Sequence, residues 1–262
     1  MALQEISLVG LSSIFAIAAP PFLRFRERMS RNASPKTYTR KDVIRFTTFN
    51  VFINSLAYFG FMLIFLSIIR KPHVIFSLPL YLISALFLLS AGITFYGSGI
   101  YMTSVIIDTL TPKEVRKNEK LRKQLLATHL FHGPISHIII FSGFIISGVL
   151  LTILDLSTGP TLDSLPKLIL VSGAILGLFM GYAQITNGTA PYQTITGLFC
   201  VVALFILDKF ENWRFTLSPL GAYMIGFFIT FLLLNIYYIA FQWKWKNLWG
   251  RAGYRDWKNY QK

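Results

Sequence analysis

The stretch LPLYLISALFLLSAGITFYGSGIYMTSVII, Leu78 to Ile107, decides the fold of this chain. It contains no Asp, Glu, Lys or Arg, and it is longer than the roughly 20 apolar residues that a helix needs to cross a bilayer. Similar apolar stretches lie on both sides of it, and the loops between the stretches carry almost all of the charge. The predicted spans are Leu3 to Leu23, Phe46 to Ile69, Leu78 to Ile107, Ile135 to Leu154, Leu168 to Ile185, Thr194 to Leu207 and Pro219 to Trp243.

The composition agrees with a membrane protein. Hydrophobic residues make up 54% of the 262 residues, and the mean hydropathy is +0.56. One soluble core could not bury so much apolar surface, whereas lipid can cover it. The sequence therefore predicts an all-α, polytopic helical bundle over residues 1–243, followed by a basic and aromatic cytoplasmic tail over residues 244–262.

The fifth and sixth spans are the shortest of the seven. An uncharged polar string, QITNGTAPYQT from Gln184 to Thr194, joins them. Irregular backbone at membrane depth is tolerated where it lines a cavity. Two topologies are therefore open, seven spans or five spans plus a re-entrant hairpin, and both keep the two termini on opposite sides.

The basic residues predict the orientation. The segment after the first span holds eight Lys and Arg residues, the segment after the third span holds six and the tail holds six, so 20 of the 25 lie on one side. The positive-inside rule places that side in the cytoplasm. We expect a multi-pass protein of the cell membrane with its N-terminus outside and its C-terminus inside.

The net charge of +14 has a first explanation in this topology, because insertion alone demands basic cytoplasmic loops. Two inside segments are denser than insertion requires, RFRERMSR at 24–31 and KEVRKNEKLRK at 113–123. Such side chains bind phosphates, of nucleic acid or of lipid headgroups, without reading sequence. The candidate phosphate or partner contacts are Arg24, Arg26, Arg28, Arg31, Lys113, Arg116, Lys117 and Lys120.

The second of these basic segments carries a helix start. Thr111 is the expected N-cap, Pro112 occupies the first helical position and Glu114 closes a capping box. We expect a charged helix that ends or bends at Gly133 and Pro134, because proline lacks a backbone donor. This helix would serve either as a docking surface for a cytoplasmic partner or as a solvated connector.

The tail interleaves Trp243, Trp245 and Trp249 with Lys and Arg residues. Bases can stack on aromatic side chains of this kind. Directly after a span, however, tryptophan and lysine are the usual anchors at the membrane interface.

Polar residues without charge recur at helical spacing inside the second and third spans. They give two stripes that would either hydrogen-bond between helices or line a water-filled path. No Asp, Glu, Lys or Arg lies in mid-span, so the usual ion-coupling residue of a secondary pump is missing. The residues of the candidate polar path are Asn50, Asn54, Ser90, Thr94, Tyr101 and Asp108.

The fifth span carries a ridge of small residues. Gly173, Gly177 and Gly181 repeat the GxxxG spacing, which lets a second helix approach closely. The neighbour could belong to the same chain or to a second copy in a homo-oligomer.

The histidines suggest chemistry but lack the geometry for it. His129, His132 and His137 lie within nine residues, whereas His73 lies on the opposite side of the membrane. A heme held by two imidazoles needs ligands on opposite faces of the iron, and no HExxH motif accompanies these residues. We predict headgroup-facing or packing histidines, with no cofactor and no metal, although a single heme or metal that bridges two chains stays open.

Known enzyme motifs are missing as well. The sequence contains no GxSxG, no P-loop and no acidic cluster for metal-assisted transfer. Together with the uncharged spans, this favours a non-enzymatic membrane subunit.

In size, in its layout of six or seven spans, in the basic segments RFRERMSR and KEVRKNEKLRK, and in its isoleucine-rich, cysteine-poor spans, the chain resembles the polytopic membrane subunit of the crenarchaeal DNA-import (Ced) system. The resemblance implies a thermophilic archaeal source and DNA that enters the cell through an oligomer of this protein. It also implies a partner ATPase of the hexameric helicase type and other small membrane subunits. It assigns no functional residue.

A second hypothesis is a membrane-anchor subunit of a respiratory, quinone-handling or heme-containing complex. It would use His129 and His132 near the membrane interface. The lack of a facing histidine argues against it.

Overall fold

A computed structural model gives the fold. It describes residues 4–14, 16, 40–70, 78–110, 121, 124, 127–128, 130–158, 166–211 and 215–241. Within these residues the only regular secondary structure is helical. The predicted all-helical fold class is therefore confirmed.

A helix overlaps each predicted span. We number them α1 (4–14), α2 (Arg40–Ile69), α3 (Leu78–Leu110), α4 (Ser136–Ser157), α5 (Lys167–Asn187), α6 (Ala190–Glu211) and α7 (Pro219–Phe241). Among the described residues, α3 to α7 are long and apolar enough to cross a membrane. The apolar part of α2, Ser55–Ile69, is shorter than these five.

Helices α5 and α6 are longer than the sequence predicted. The predicted sixth span began at Thr194, whereas α6 begins at Ala190 and extends to Glu211. The two helices have 21 and 22 residues, a rise of about 32 Å each, against a hydrocarbon core of about 30 Å. The predicted sixth span began too late because Gln193, near the start of α6, is polar. This side chain is buried in the bundle and has hydrogen-bond partners there, which a hydropathy scale does not count.

The turn between α5 and α6 consists of Gly188 and Thr189 alone. Gly188 adopts a left-handed φ of 73°. Its N–H donates to the Ile185 carbonyl at 3.2 Å, and the Thr189 N–H donates to the Gln184 carbonyl at 3.0 Å. This is the Schellman arrangement that terminates a helix at a glycine. It turns the chain back on itself, so that α6 runs antiparallel to α5.

The sequence predicted that a helix ends or bends at Gly133 and Pro134. The helix does not end there. Residues Phe131–Ile135 form one π turn that continues directly into α4. The Ser136 N–H donates to the Phe131 carbonyl. A wider turn of this kind removes the need for the donor that proline lacks.

Two tight helix pairs form the centre of the bundle, α3 with α4 and α5 with α7. Ser90 bonds to Gly143 and Gly97 lies against Ile139, so α3 and α4 run antiparallel. Gly173 of α5 lies against Tyr223 of α7, and Gly177, one turn later, lies against Phe227. Those two helices therefore run parallel. Large buried side chains from these four helices belong to the core: Phe87, Ile145, Leu151, Leu176, Phe227 and Phe231.

Candidate functional site

The predicted phosphate contacts lie outside the described residues. This applies to Arg24, Arg26, Arg28, Arg31, Lys113, Arg116, Lys117 and Lys120, and to the tail after Phe241. Asn50 and Asn54 belong to α2 and Asp108 belongs to α3, but the described part of the structure does not include their side chains.

Three members of the predicted polar stripe lie on the face of α3 that packs on α4. The Ser90 hydroxyl donates to the Gly143 carbonyl at 3.0 Å and accepts a hydrogen bond from the Ser147 hydroxyl at 3.0 Å. Thr94 is fully buried, donates to the Ser90 carbonyl at 2.8 Å and packs where a Cβ on Gly143 would stand. The two bonds of Ser90 join α3 to α4, the kind of hydrogen bond that holds membrane helices together. The bond of Thr94 stays within α3.

Tyr101, the next residue of the candidate polar path on α3, contacts His137 of α4. Their ring centroids lie 5.0 Å apart in an edge-on arrangement, and His137 also stacks on Phe141 at 5.9 Å. The His137 Nδ1 atom lies 2.6 Å from the Gly133 carbonyl oxygen. His129 and the side chain of His132 lie outside the described residues. The described residues contain no group of three metal-ligating side chains.

The glycine ridge of α5 packs on α7 of the same chain. A Cβ added to Gly173 would overlap the Tyr223 carbonyl oxygen, and one added to Gly177 would overlap the Phe227 carbonyl oxygen. One added to Gly181 would lie 3.4 Å from the Phe231 carbonyl oxygen. The ridge therefore serves a contact within the chain, the first of the two alternatives that the spacing allowed.

The fit is reciprocal. A Cβ on Gly226 of α7 would overlap the Leu170 carbonyl oxygen of α5. The Thr230 hydroxyl crosses the same interface and donates to the Ala174 carbonyl at 2.8 Å. Close backbone approach and hydroxyl bonds are how helices associate in lipid, where hydrophobicity gives no driving force between them.

Three buried amide side chains lie near the end of the bundle where α5 turns into α6. We call Gln184, Gln193 and Asn235 the amide cluster; each has 0% of its surface exposed. Asn235 follows Phe231 by one turn of α7, and Gln193 precedes Gly197 by one turn of α6. Because Gly197 packs on Phe231, Gln193 and Asn235 lie at the same level of the bundle.

Gln184 lies at this level too. It follows Gly181 by three residues, and Gly181 packs on Phe231 and Leu234 of the parallel helix α7. Its Oε1 atom accepts a hydrogen bond from the Thr189 hydroxyl at 2.6 Å. The side chain is thereby fixed to the turn that joins α5 and α6.

Both the nitrogen and the oxygen of the Gln193 side-chain amide have hydrogen-bond partners in the protein. Its Nε2 atom donates to the Ile138 carbonyl at 3.2 Å and to the Ser142 hydroxyl at 3.1 Å, and its Oε1 lies 3.3 Å from that hydroxyl. These bonds join α6 to α4. In contrast, Nε2 of Gln184 and both polar atoms of Asn235 have no hydrogen-bond partner among the described residues.

The amide cluster can accept and donate hydrogen bonds, but none of its members carries charge or exchanges protons near neutral pH. Its polar atoms that have no partner among the described residues could therefore bind a neutral group that hydrogen-bonds. The sequence indicated the polar string from Gln184 to Thr194 and, separately, Asn235. Only the parallel packing of α5 and α7 shows that they lie at the same level of the bundle.

A second buried polar group lies at the other end of the bundle. Ser218 is the N-cap of α7, since its Oγ accepts the Gly221 N–H at 3.1 Å. The same hydroxyl donates to Oδ2 of Asp155, which is 3% exposed. A carboxylate beside a helix N-terminus is favoured by the helix dipole. This contact fixes the end of α4 to the start of α7.

Comparison with protein-family models, with curated proteins and with solved structures gives no match.

Proposed function

We propose that this chain is a non-enzymatic, multi-pass subunit of a transport machine in the cell membrane. Its seven helices cross the bilayer, with the N-terminus outside and the tail inside. It works as part of a DNA-import channel, as a homo-oligomer, beside other small membrane subunits. A cytoplasmic ATPase that docks on the basic inside segments supplies the energy.

The observation that carries this proposal is the partition of charge. Of the 25 Lys and Arg residues, 20 fall in segments on one side. Insertion requires an excess of this sign, but the four arginines of RFRERMSR stand within eight residues. A cluster so dense attracts phosphate or an acidic partner surface regardless of sequence.

The interior of the bundle supports a passive role for this subunit. Hydroxyls and amides join its helices, as at Ser90, Thr230 and Gln193. Asp155, the acidic side chain among the buried polar residues described, lies at the end of α4 rather than in mid-span. The mid-span residues include no acid or base that would couple movement to an ion gradient. Energy from a separate ATPase is consistent with this arrangement. The DNA substrate and the helicase-type ATPase rest on the resemblance to the crenarchaeal import system.

The test replaces Arg24, Arg26, Arg28 and Arg31 together by Gln. Sixteen inside charges then still exceed the five outside, so the topology should persist. We expect DNA uptake by the host to be lost while the amount of inserted protein is unchanged. The matched control replaces four outside residues, Arg70, Lys71, Lys167 and Arg214, by Gln, and it should leave uptake near its normal level.

Uptake that survives the inside substitution would contradict phosphate or partner contact there. An independent test is affinity purification of the full chain from its host in gentle detergent, with identification of every co-purifying chain. The proposal expects a DNA-translocating ATPase and small membrane subunits, and it expects the four-residue inside variant to lose the ATPase. Recovery of heme, iron–sulfur or quinone-linked subunits instead would overturn it.

A further inference from the structure

We propose that Gln184 and Asn235 form an internal water-binding site at the junction of α5, α6 and α7. The inference begins with the groups that have no partner. Asn235 is fully buried, yet neither its Nδ2 nor its Oδ1 bonds to a described residue, and the same holds for Nε2 of Gln184. Leaving a buried polar group without a hydrogen-bond partner destabilises the folded protein.

Rotating the amides does not remove the deficit. A 180° flip of Asn235 exchanges two atoms that both lack partners. A flip of Gln184 would bring Nε2 to the Thr189 hydroxyl but would leave Oε1 unpaired in its place. The missing partner must therefore come from outside the described side chains.

The chemistry of the free groups selects the ligand. Nε2 of Gln184 and Nδ2 of Asn235 donate, whereas Oδ1 of Asn235 accepts. The ligand must both accept and donate, and it must be neutral, because the amide cluster contains no charge to balance an ion. Water meets these conditions, since a buried water typically makes two to four hydrogen bonds to otherwise unsatisfied groups.

Position also favours water. The site lies within a turn or two of Gly188, where the chain reverses between α5 and α6, so it is near one end of the helices rather than at their centre. A site near a helix end lies closer to bulk water than the middle of the bilayer does. The inference goes beyond the proposed function, because the site would exist whether or not DNA passes through the protein.

The test uses the wild-type, full-length protein in lipid bilayers with ¹⁵N labelling. Solid-state NMR measures the transfer of magnetisation from water to each side-chain amide. The internal control is Gln193, which is equally buried but whose amide is satisfied by Ile138 and Ser142. We expect transfer to the amides of Asn235 and Gln184 to be several-fold faster than to Gln193. Transfer no faster than to Gln193 would overturn the site.

A stability measurement tests the same site independently. Asn235→Leu keeps the side-chain size but removes both polar atoms. If water bridges Asn235 to Gln184, the variant should lower the Tm, because the water and Gln184 lose a partner. If the junction is dry, removing an unsatisfied amide raises the Tm, and that result would contradict the proposal.

Discussion

At the scale of single residues, a hydroxyl that bonds to a neighbouring helix differs from one that bonds within its own helix. Ser90 donates to Gly143 of α4, whereas Ser84 donates to Leu80 of its own helix at 2.8 Å. Both side chains are buried and both lie on α3. Sequence does not distinguish them, but their energetic roles should differ.

We therefore predict that Ser90→Ala destabilises the protein by about 1 kcal/mol, since hydrogen bonds between membrane helices are typically worth about 0.6 and at most about 1.7 kcal/mol. Ser84→Ala should change the free energy of unfolding by much less. Equilibrium unfolding of the purified protein in mixed micelles measures both. Equal losses for the two variants would mean that the bonds from Ser90 to α4 contribute nothing.

Tyr223 makes a similar contact for the first helix. The hydroxyl groups of Tyr223 and Ser12 lie 2.8 Å apart, and Ser12 also donates to the Ser172 carbonyl at 2.9 Å. We expect Tyr223→Phe to lower the Tm, because Ser12 and Tyr223 lose a buried hydrogen bond. The control is Tyr237→Phe, since Tyr237 on the same helix is 54% exposed. A Tm that falls equally in both variants would argue against docking of α1 through this contact.

At the scale of elements, the α5–α7 pair depends on the absence of side chains. The overlap of a Cβ at Gly173 with the Tyr223 carbonyl involves backbone, which cannot rotate away. We predict that Gly173→Ala costs about 1–3 kcal/mol, the usual range for overpacking. Gly92→Ala is the control, because a Cβ there meets nothing within 4 Å. Thermal unfolding in detergent should separate the two, and an unchanged Tm for Gly173→Ala would show that the helices lie further apart.

The turn between α5 and α6 depends on backbone conformation instead. The φ of 73° at Gly188 costs most residues about 1–2 kcal/mol, but Asn less than others. We expect Gly188→Ala to lower the Tm, and Gly188→Asn to lower it by less. The same thermal unfolding assay ranks the two variants. The reverse order would mean that the side chain at this turn matters more than its backbone angle.

At the scale of the whole molecule, the open question from the sequence is whether α5 and α6 cross the membrane or re-enter it. Their lengths suit crossing, as each is about as long as the hydrocarbon core is thick. If both cross, the turn at Asn187 lies at the cytoplasmic surface. If they re-enter from outside, it lies within the membrane.

We predict that Asn187→Cys, in a Cys200→Ser background, reacts with a membrane-impermeant maleimide only when the cytoplasmic face is exposed. Inside-out and right-side-out vesicles provide the comparison. Asn247→Cys in the tail is the control for the inside face. A cysteine at 187 that reacts from neither side would favour the re-entrant hairpin, and one that reacts from outside would reverse the proposed orientation.

The sequence alone determined the helical class and the approximate positions of the long apolar helices. Uncharged stretches longer than a bilayer is thick leave the backbone no partner except itself, so only helices fit there. The glycine ridge at Gly173, Gly177 and Gly181 was also visible, because small residues at that spacing permit close approach wherever they occur. Both inferences are local, since they need only the distance between residues along one helix.

Tertiary structure decided which helices meet. The spacing of the glycines did not indicate that their neighbour is α7, and the polar stripe did not indicate that Ser90 bonds to Gly143. The predicted sixth span was shorter than α6 because a hydropathy scale scores Gln193 as polar and does not count its hydrogen bonds to α4. The amide cluster likewise contains Gln184 and Asn235, which are far apart in sequence but lie at the same level of two packed helices. Such contacts depend on how whole helices are arranged. That arrangement results from packing between two helix surfaces, and the sequence of one helix gives only one of them.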